Sequence, residues 1–503
     1  MTKAIWAALL GCSVSTAALS LEIVKDGVPE AEIVIAEEAH EGTRRAAEDL
    51  RDFLRRISGA ELRIVHAPST EKKNHLYVGR SVWTDKLSYR LPVFRNSGYD
   101  ILVKDNYAVL AGPMVTSAGN PYQMSSADAG YLRTPLLNKT PKPANFPSPG
   151  LKKWQTFTGR TFSTMQVGNG GVRNEPLKIF TNDDLGDWYA VSAFLEKLGV
   201  RFYAPCHDGT IVPRSRNISV EECRITKEAA FARREWTYYG AMRSDRDGIA
   251  WLKRMKCGNH TLIIYNHTTY AVYSTKEQLA KHPEYFAEEK PGKKWSGFPA
   301  GSGIPRYTDP GFRRDCVLFL RKMFDAFPHL AACAMGPPDG SVRLDYRDME
   351  QYRRGGLSPE QAASNYVWDF HIHLAKELAK THPGKKLLYM SGAGAKRFPT
   401  NFKSGEVDNI IIPFTQPYSA YRVLQSTNDA VIRERKEWLE KVNGKNKCPV
   451  WDYYLYYRIP SMPRYPVIFT RSLQREMREM LPYADGKFIE VAPEWMTDGK
   501  NMQ

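Results

Sequence analysis

The sequence predicts an α/β protein: an N-terminal α/β domain over residues 21–228, followed by a (β/α)8 barrel of the TIM type over residues 229–503. Three observations predict it. Beyond residue 228, short apolar strands alternate with helical stretches, the signature of parallel βα units. The strands counted there number eight, enough to close such a barrel. Before residue 228 the order is strand, strand, helix and hairpin, so a separate layer precedes the barrel. Composition agrees with a globular chain, at 42% hydrophobic and 25% charged residues, and excludes a disordered or fibrous one.

Residues 1–20, MTKAIWAALLGCSVSTAALS, carry one Lys, an apolar stretch from Ala4 to Cys12 and a small-residue end. This is the pattern of a secretory signal peptide removed after Ser20, and the expected location is secreted or periplasmic. A second reading presents Cys12, after Leu9-Leu10-Gly11, for lipid anchoring. No later run of about 18 apolar residues exists, so no transmembrane segment is expected. The six cysteines from Cys206 to Cys448 show neither CxxC nor zinc-type spacing. An oxidising compartment permits disulfides, with Cys206 and Cys223 the nearest pair, but does not demand them.

LEIVKDG and AEIVIAEE read as strands. In EGTRRAAEDLRDFLRRISG, residues Ala46, Ala47, Leu50, Phe53, Leu54 and Ile57 share one helical face and Gly59 supplies the stop. AELRIVHA and NHLYVGRSV follow as strands, and YDILVKDNYAVLAGP alternates around Lys104-Asp105-Asn106 as a hairpin does. The stretch of about 116–171 is rich in Ser, Gly, Pro and Asn, lacks periodicity, and reads as an insertion. In TNDDLGDWYAVSAFLEKLGVRFYAP, Asn182 or Asp183 is expected to cap a helix that buries Trp188, Val191, Phe194, Leu195 and Leu198. Gly199 ends it, and VRFYAP is a strand.

The eight barrel strands are WTYYG, TLIIY, a weak one near EYFAEE, ACAMG, LLYMS, NIIIP, PVWDYY and FIEVA. Helical patterns such as DCVLFLRKMFDAF, NYVWDFHIHLAKELAKTH and AVIRERKEWLEKV separate them. The sequence stops at Gln503, a few residues past the eighth strand, so the last barrel helix is expected to be absent and that edge covered by something else.

Three segments together resemble a known family: the IVI strand, helix and ISGAELRI opening; GDWYAVSAFLEKLGVRFYAP; and NHTTY followed by HPEYFAEEKPGKKW. The chain resembles secreted bacterial proteins carrying domain of unknown function 4838. In that family an N-terminal domain similar to those of alpha-glucuronidases and family-20 hexosaminidases precedes a glycosidase-type barrel. The resemblance implies work on carbohydrate and names no sugar. This chain departs from the pattern in its 116–171 insertion, in a Cys-free PPDGSVRLDYRD after the fourth strand, and in having no region beyond the eighth.

Glycoside hydrolysis uses two carboxyl groups, about 5–5.5 Å apart for retention and about 6.5–9.5 Å for inversion, and in a barrel they sit at C-terminal strand ends. Asp339 follows the fourth strand in Gly336-Pro337-Pro338-Asp339-Gly340, a fixed turn that could aim it into the barrel mouth. A plain Asp-Gly turn is the competing reading. Asp345 and Asp348 lie further along the same loop. Asp452 in the seventh strand shares a face with Tyr454, opposite Trp451 and Tyr453, and needs a partner among apolar neighbours. Glu490 in the eighth strand opposes Ile489 and Val491 and so points to a polar interior. Glu494 lies further toward the tail. Asp339 is the expected general acid, with Asp452 or Glu490 as its partner; a structural carboxylate is the competing reading for either.

Sugar faces pack on aromatic rings, which makes Tyr238, Tyr239, Tyr265, Trp451, Tyr453, Tyr454 and Trp495 candidate platforms, each also readable as core. Asn266 and His267 close the second strand and are candidate substrate contacts. The net charge of +16 makes an acidic glycan the better fit, with Arg243, Arg306 or Arg458 as the clamp for its anionic group.

No metal or cofactor is expected. His260 and His267 would face opposite ways on a strand, and His371 and His373 diverge by about 200° on a helix. Walker A, GxGxxG, GxSxG and HExxH patterns do not occur. Nucleic acid is not an expected partner, since no basic stripe interleaved with aromatics is present. The rival reading is a non-catalytic carbohydrate-binding or surface-display protein on the same scaffold. Oligomeric state is not legible.

Overall fold

A computed structural model describes residues 20–115, 124–125, 172–174, 177–180, 183–204, 208–238, 246–259, 262–264, 269, 273, 276–296, 303–326, 330–337, 342–389, 397–403, 405–411, 414–416, 425–442, 448–454 and 470–491. The expected signal peptide, apart from Ser20, which opens the Ser20–Lys25 strand, and most of the insertion lie outside the described residues.

The N-terminal core grows from one amphipathic helix. In Glu41–Ser58, the expected face of Ala46, Ala47, Leu50, Phe53, Leu54 and Ile57 is buried. Gly59 ends the helix at φ 84°, where its N–H reaches the Arg55 carbonyl. The core this face enters includes side chains from a six-stranded sheet in the order Cys223–Glu228, Gly98–Val103, Tyr107–Ala111, Asn74–Val78, Ala31–Val34, Ile64–Val65. The Gly98–Val103 and Tyr107–Ala111 strands pair antiparallel, as a hairpin over Lys104-Asp105-Asn106 must.

A second helix, Gly186–Lys197, packs beside the first, and Trp188 donates its indole N–H to Asp49 at 2.8 Å. Its start differs from the expectation. Leu185, not Asn182 or Asp183, holds the cap position, without a side-chain cap bond. The residues before it are already committed: Asp184 and Leu185 pair as a strand with Val115 and Met114, and the Asp184 carboxylate accepts from Ser97 and Arg234 at 2.7 and 2.8 Å. Within the insertion, Met124–Ser125 pairs in parallel with Val172–Asn174, sheet structure that the composition does not announce.

Beyond residue 228, among the described residues, two sets of strands pair in parallel, with Gly258–Asn259 added antiparallel to Arg233–Tyr238. Arg233–Tyr238, Ala484–Val491, Cys448–Tyr454 and Phe414–Gln416 pair in that order. Leu262–Ile264, Leu330–Ala334, Lys386–Leu388 and Ile410–Ile411 make the other. Among the described residues each set holds four parallel strands, and Ile410–Ile411 and Phe414–Gln416 are at the ends of the two sheets.

The weak third strand is a correction. Glu288–Lys290 pairs antiparallel with Lys293–Lys294, and Leu262–Ile264 lies directly against Leu330–Ala334. The run Glu-Glu-Lys-Pro-Gly-Lys-Lys has no apolar residues for a strand buried on both faces, and Gly292 at φ 77° turns it back. Helices pack on these sheets: Phe312 of Pro310–Ala326 stacks on Phe370 of Pro359–Ala379 with centroids 5.5 Å apart.

The two halves interlock. Ile249, Ala250, Trp251 and Leu252 of the Arg246–Arg254 helix are buried in the N-terminal core, and Arg254 grips Asp49 through two hydrogen bonds of 2.8 Å. The Lys253 ammonium is buried against the Asp183 carbonyl, and burial pushes it down to about 8 despite the nearby Asp183 and Asp184. Cys223, Cys257, Cys316 and Cys333 are free thiols. No helix among the described residues is long and apolar enough to cross a membrane.

Candidate active site

Parallel pairing brings the C-terminal strand ends to one side of each sheet. Of the residues expected there, Tyr238, Trp451, Asp452, Tyr454 and Glu490 fall inside strands. Asp339, Asn266, His267, Tyr239 and Arg458 lie outside the described residues, as do Arg243, Tyr265, Glu494 and Trp495.

The register fixes how these positions relate. Asp452 is level with Ile489, whereas Glu490 is level with Tyr453 on one side and Thr237 on the other. Positions 452 and 490 therefore differ in parity and belong to opposite faces of the sheet. Lys487 has the parity of Ile489, and its buried ammonium meets the Glu476 carboxylate at 2.9 Å on the Thr470–Met480 helix. That parity is the helix-covered one, so position 490 belongs to the other face. Tyr238 and Tyr454 flank Val491 at the last paired level of the three strands.

The loop after Leu330–Ala334 is better defined than the sequence suggests. Buried Thr269, beyond the Leu262–Ile264 strand, donates its hydroxyl to the Gly336 carbonyl. Asp345 and Asp348, expected only as weaker acids, are both buried and already paired. Arg347 grips Asp345 at 2.6 and 2.7 Å, and the Glu288 N–H adds a bond at 2.8 Å. Burial alone would raise the Asp345 carboxyl, but these bonds outweigh it and hold it below the ordinary range.

Arg306 spends its fork on Asp348 at 2.9 and 3.1 Å, so it is not a free clamp for an anionic sugar. No motif announced this pairing; only the density of Arg and Asp between residues 306 and 348 hinted at it. His371 is buried, its Nδ1–H donating to the Val367 carbonyl at 2.9 Å, and burial pushes it down to about 4, so it is neutral at ordinary pH.

The model of the family described as domain of unknown function (DUF4838) matches residues 204–487. The chain belongs to that family. No curated protein matches the sequence. Among solved structures, this DUF4838 chain is similar to a mutant Streptomyces plicatus beta-hexosaminidase in complex with its product GlcNAc, at 11% identity and a TM-score of 0.42 over 95% of this chain and 83% of that one. A family GH115 4-O-methyl-alpha-glucuronidase with specificity for decorated arabinogalactans aligns at 9% identity and a TM-score of 0.46, over 96% of this chain and 56% of its own. The GH20 beta-N-acetylhexosaminidase from Streptomyces coelicolor A3(2) gives 10% and 0.42, over 96% and 84%.

Proposed function

We propose that this DUF4838 protein is a secreted or periplasmic glycoside hydrolase acting on a glycan, with Asp339 as general acid and Glu490 as the partner carboxylate on a βα-barrel scaffold. The observation that carries the reading is the register of the last two strands. It puts a glutamate one step from the strand end, level with Thr237 and Tyr453, on the face away from the helices. Asp452 has the helix-side parity, which makes it the weaker partner. Trp451, level with Phe488 and so of the same parity as Glu490, supplies the aromatic surface; Tyr238 and Tyr454 share the parity of Asp452 and are the weaker platforms, and Asn266, His267, Tyr239 and Arg458 complete the proposed substrate contacts. The +16 net charge supports an acidic glycan, bearing uronic acid, sialic acid or sulfate.

In this mechanism Asp339 protonates the glycosidic oxygen as the bond breaks, and Glu490 meets the oxocarbenium-like centre directly or through water, according to the distance between the two. The test is chromatography of sugars released from acidic and neutral glycans by residues 21–503. We expect release by the parent and by Asp452→Asn, and at least a 100-fold loss, on the order given by general acid–base catalysis, in Asp339→Asn and Glu490→Gln. Release by either of the last two at the parent's rate removes that residue from the mechanism. No release by the parent on any glycan moves the non-catalytic binding reading ahead.

A further inference from the structure

The segment HPEYFAEEKPGKKW has no place in the mechanism above, and it is not the barrel strand it resembles. Its structure is a small antiparallel insert. Glu288–Lys290 turns back on Lys293–Lys294, and Ser296 bridges Gly303. Phe286 bridges Pro305, with the Ala287 N–H on the Ile304 carbonyl at 2.8 Å and the Arg306 N–H on Tyr285 at 2.8 Å. Among the described residues, both backbone and side-chain groups of this insert engage the 342–348 loop.

The Glu288 N–H takes Asp345, while the Glu288 carbonyl accepts the Tyr346 N–H at 3.0 Å. The Trp295 indole N–H holds the Leu344 carbonyl at 3.1 Å, and Arg343 lies 5.4 Å from the centroid of the same indole. Arg306 forks onto Asp348, which also accepts the Thr308 hydroxyl at 2.6 Å and faces the Tyr366 hydroxyl at 3.4 Å. At the other end of the loop, Thr269 holds Gly336.

Loops ordinarily run over the surface and leave their carboxylates in water. This one buries two, Asp345 at 0% and Asp348 at 5% exposure, a costly arrangement unless every partner is present. Such a loop is fixed on both sides of residues 338–341, the stretch that contains Asp339.

We infer that the 282–308 insert is a clamp for the loop after the Leu330–Ala334 strand, with Asp345 and Asp348 as positioning residues that fix residues 342–348, the stretch that follows the proposed acid Asp339 in the chain. The inference rests on reading Asp339 as part of the site. It gives the family segment a role: not a strand of the barrel but the support that pre-organises its proposed acid.

The test is hydrogen–deuterium exchange on the full chain, parent against Asp348→Asn and Arg306→Lys, with Trp295→Phe as a milder variant that keeps both ion pairs. The expected result is at least tenfold faster exchange in peptides spanning 335–348, with peptides from the Glu41–Ser58 helix unchanged and thermal unfolding still cooperative. Unchanged exchange in folded Asp348→Asn overturns the clamp, whatever the sugar assays give. Where the parent releases sugar, the positioning role predicts that kcat falls at least tenfold with KM little changed and that the acidic limb of the pH profile moves. Faster exchange with unaltered kcat, KM and pH profile overturns the positioning role. A parent inactive on every glycan defeats the proposed hydrolase while the exchange result still decides the clamp.

Discussion

Asp187 illustrates what a single buried group does to this protein. It sits in the first turn of the Gly186–Lys197 helix, accepts from Thr43 at 2.6 Å and from the Gly112 N–H at 2.9 Å, and is sealed from water. Burial raises its carboxyl to about 6, against the two hydrogen bonds that lower it. The folded chain keeps a proton that the unfolded chain releases near pH 4, so this group's contribution to stability falls as pH rises from about 4 to 6. Asp187→Asn removes the titration. The stability of the variant relative to the parent is expected to rise by about 2 kcal/mol between pH 4 and pH 7, read from urea unfolding at both values. A difference that does not change with pH would show that the carboxyl does not titrate in that window. Asp345 works in the other direction: with its folded pKa depressed, its stabilisation is present above the ordinary carboxylate range and is lost as pH falls through the folded value.

Glycines decide how closely elements approach. At Gly59 a Cβ meets nothing within 4 Å, so Gly59→Ala costs only the left-handed backbone, about 1–2 kcal/mol. At Gly186 a Cβ falls 2.5 Å from the backbone of Gly112 and Pro113, where the helix start lies against the end of the Tyr107–Ala111 strand. Gly186→Ala is expected to cost about 3 kcal/mol, and equal midpoints for the two variants in chemical denaturation would refute the contrast. The same scale shows what sequence pattern reveals. The Glu41–Ser58 helix is legible because its six core residues recur at helical spacing and Gly59 is punctuation. The start of the second helix is not, since Asn182 and Asp183 read as caps, whereas Asp184 and Leu185 pair as a strand with Val115 and Met114 and leave the cap position to Leu185. The third strand fails because Tyr285 and Phe286 are apolar enough to suggest one, whereas Glu288–Lys294 can only turn. At the site, Asp452 and Glu490 are visible as carboxylates in apolar strands, but their opposite parity comes from pairing register, which no single strand contains. The occupation of Arg306 by Asp348 is likewise a contact across 42 residues.

Across the whole molecule, the two halves are not separable by cutting at residue 228. A chain beginning at residue 229 would expose Ile249, Trp251 and Leu252 and strand Arg254 without Asp49. Such a chain is expected to aggregate in size-exclusion chromatography, whereas the 21–503 chain unfolds as a unit; a soluble, cooperatively unfolding 229–503 would show that the N-terminal layer is dispensable to the rest. The strand Arg233–Tyr238, meanwhile, finds its parallel partner Ala484–Val491 about 250 residues later. At ribosomal speeds of roughly 5–20 residues per second, that partner emerges on the order of 10–50 s after the first strand. Until then one edge of the first strand has no ladder to join, a template for pairing with a neighbouring nascent chain. That open edge makes pairing between chains the competitor of sheet closure, and a raised concentration of unfinished chains is expected to shift the balance toward aggregation at Arg233–Tyr238.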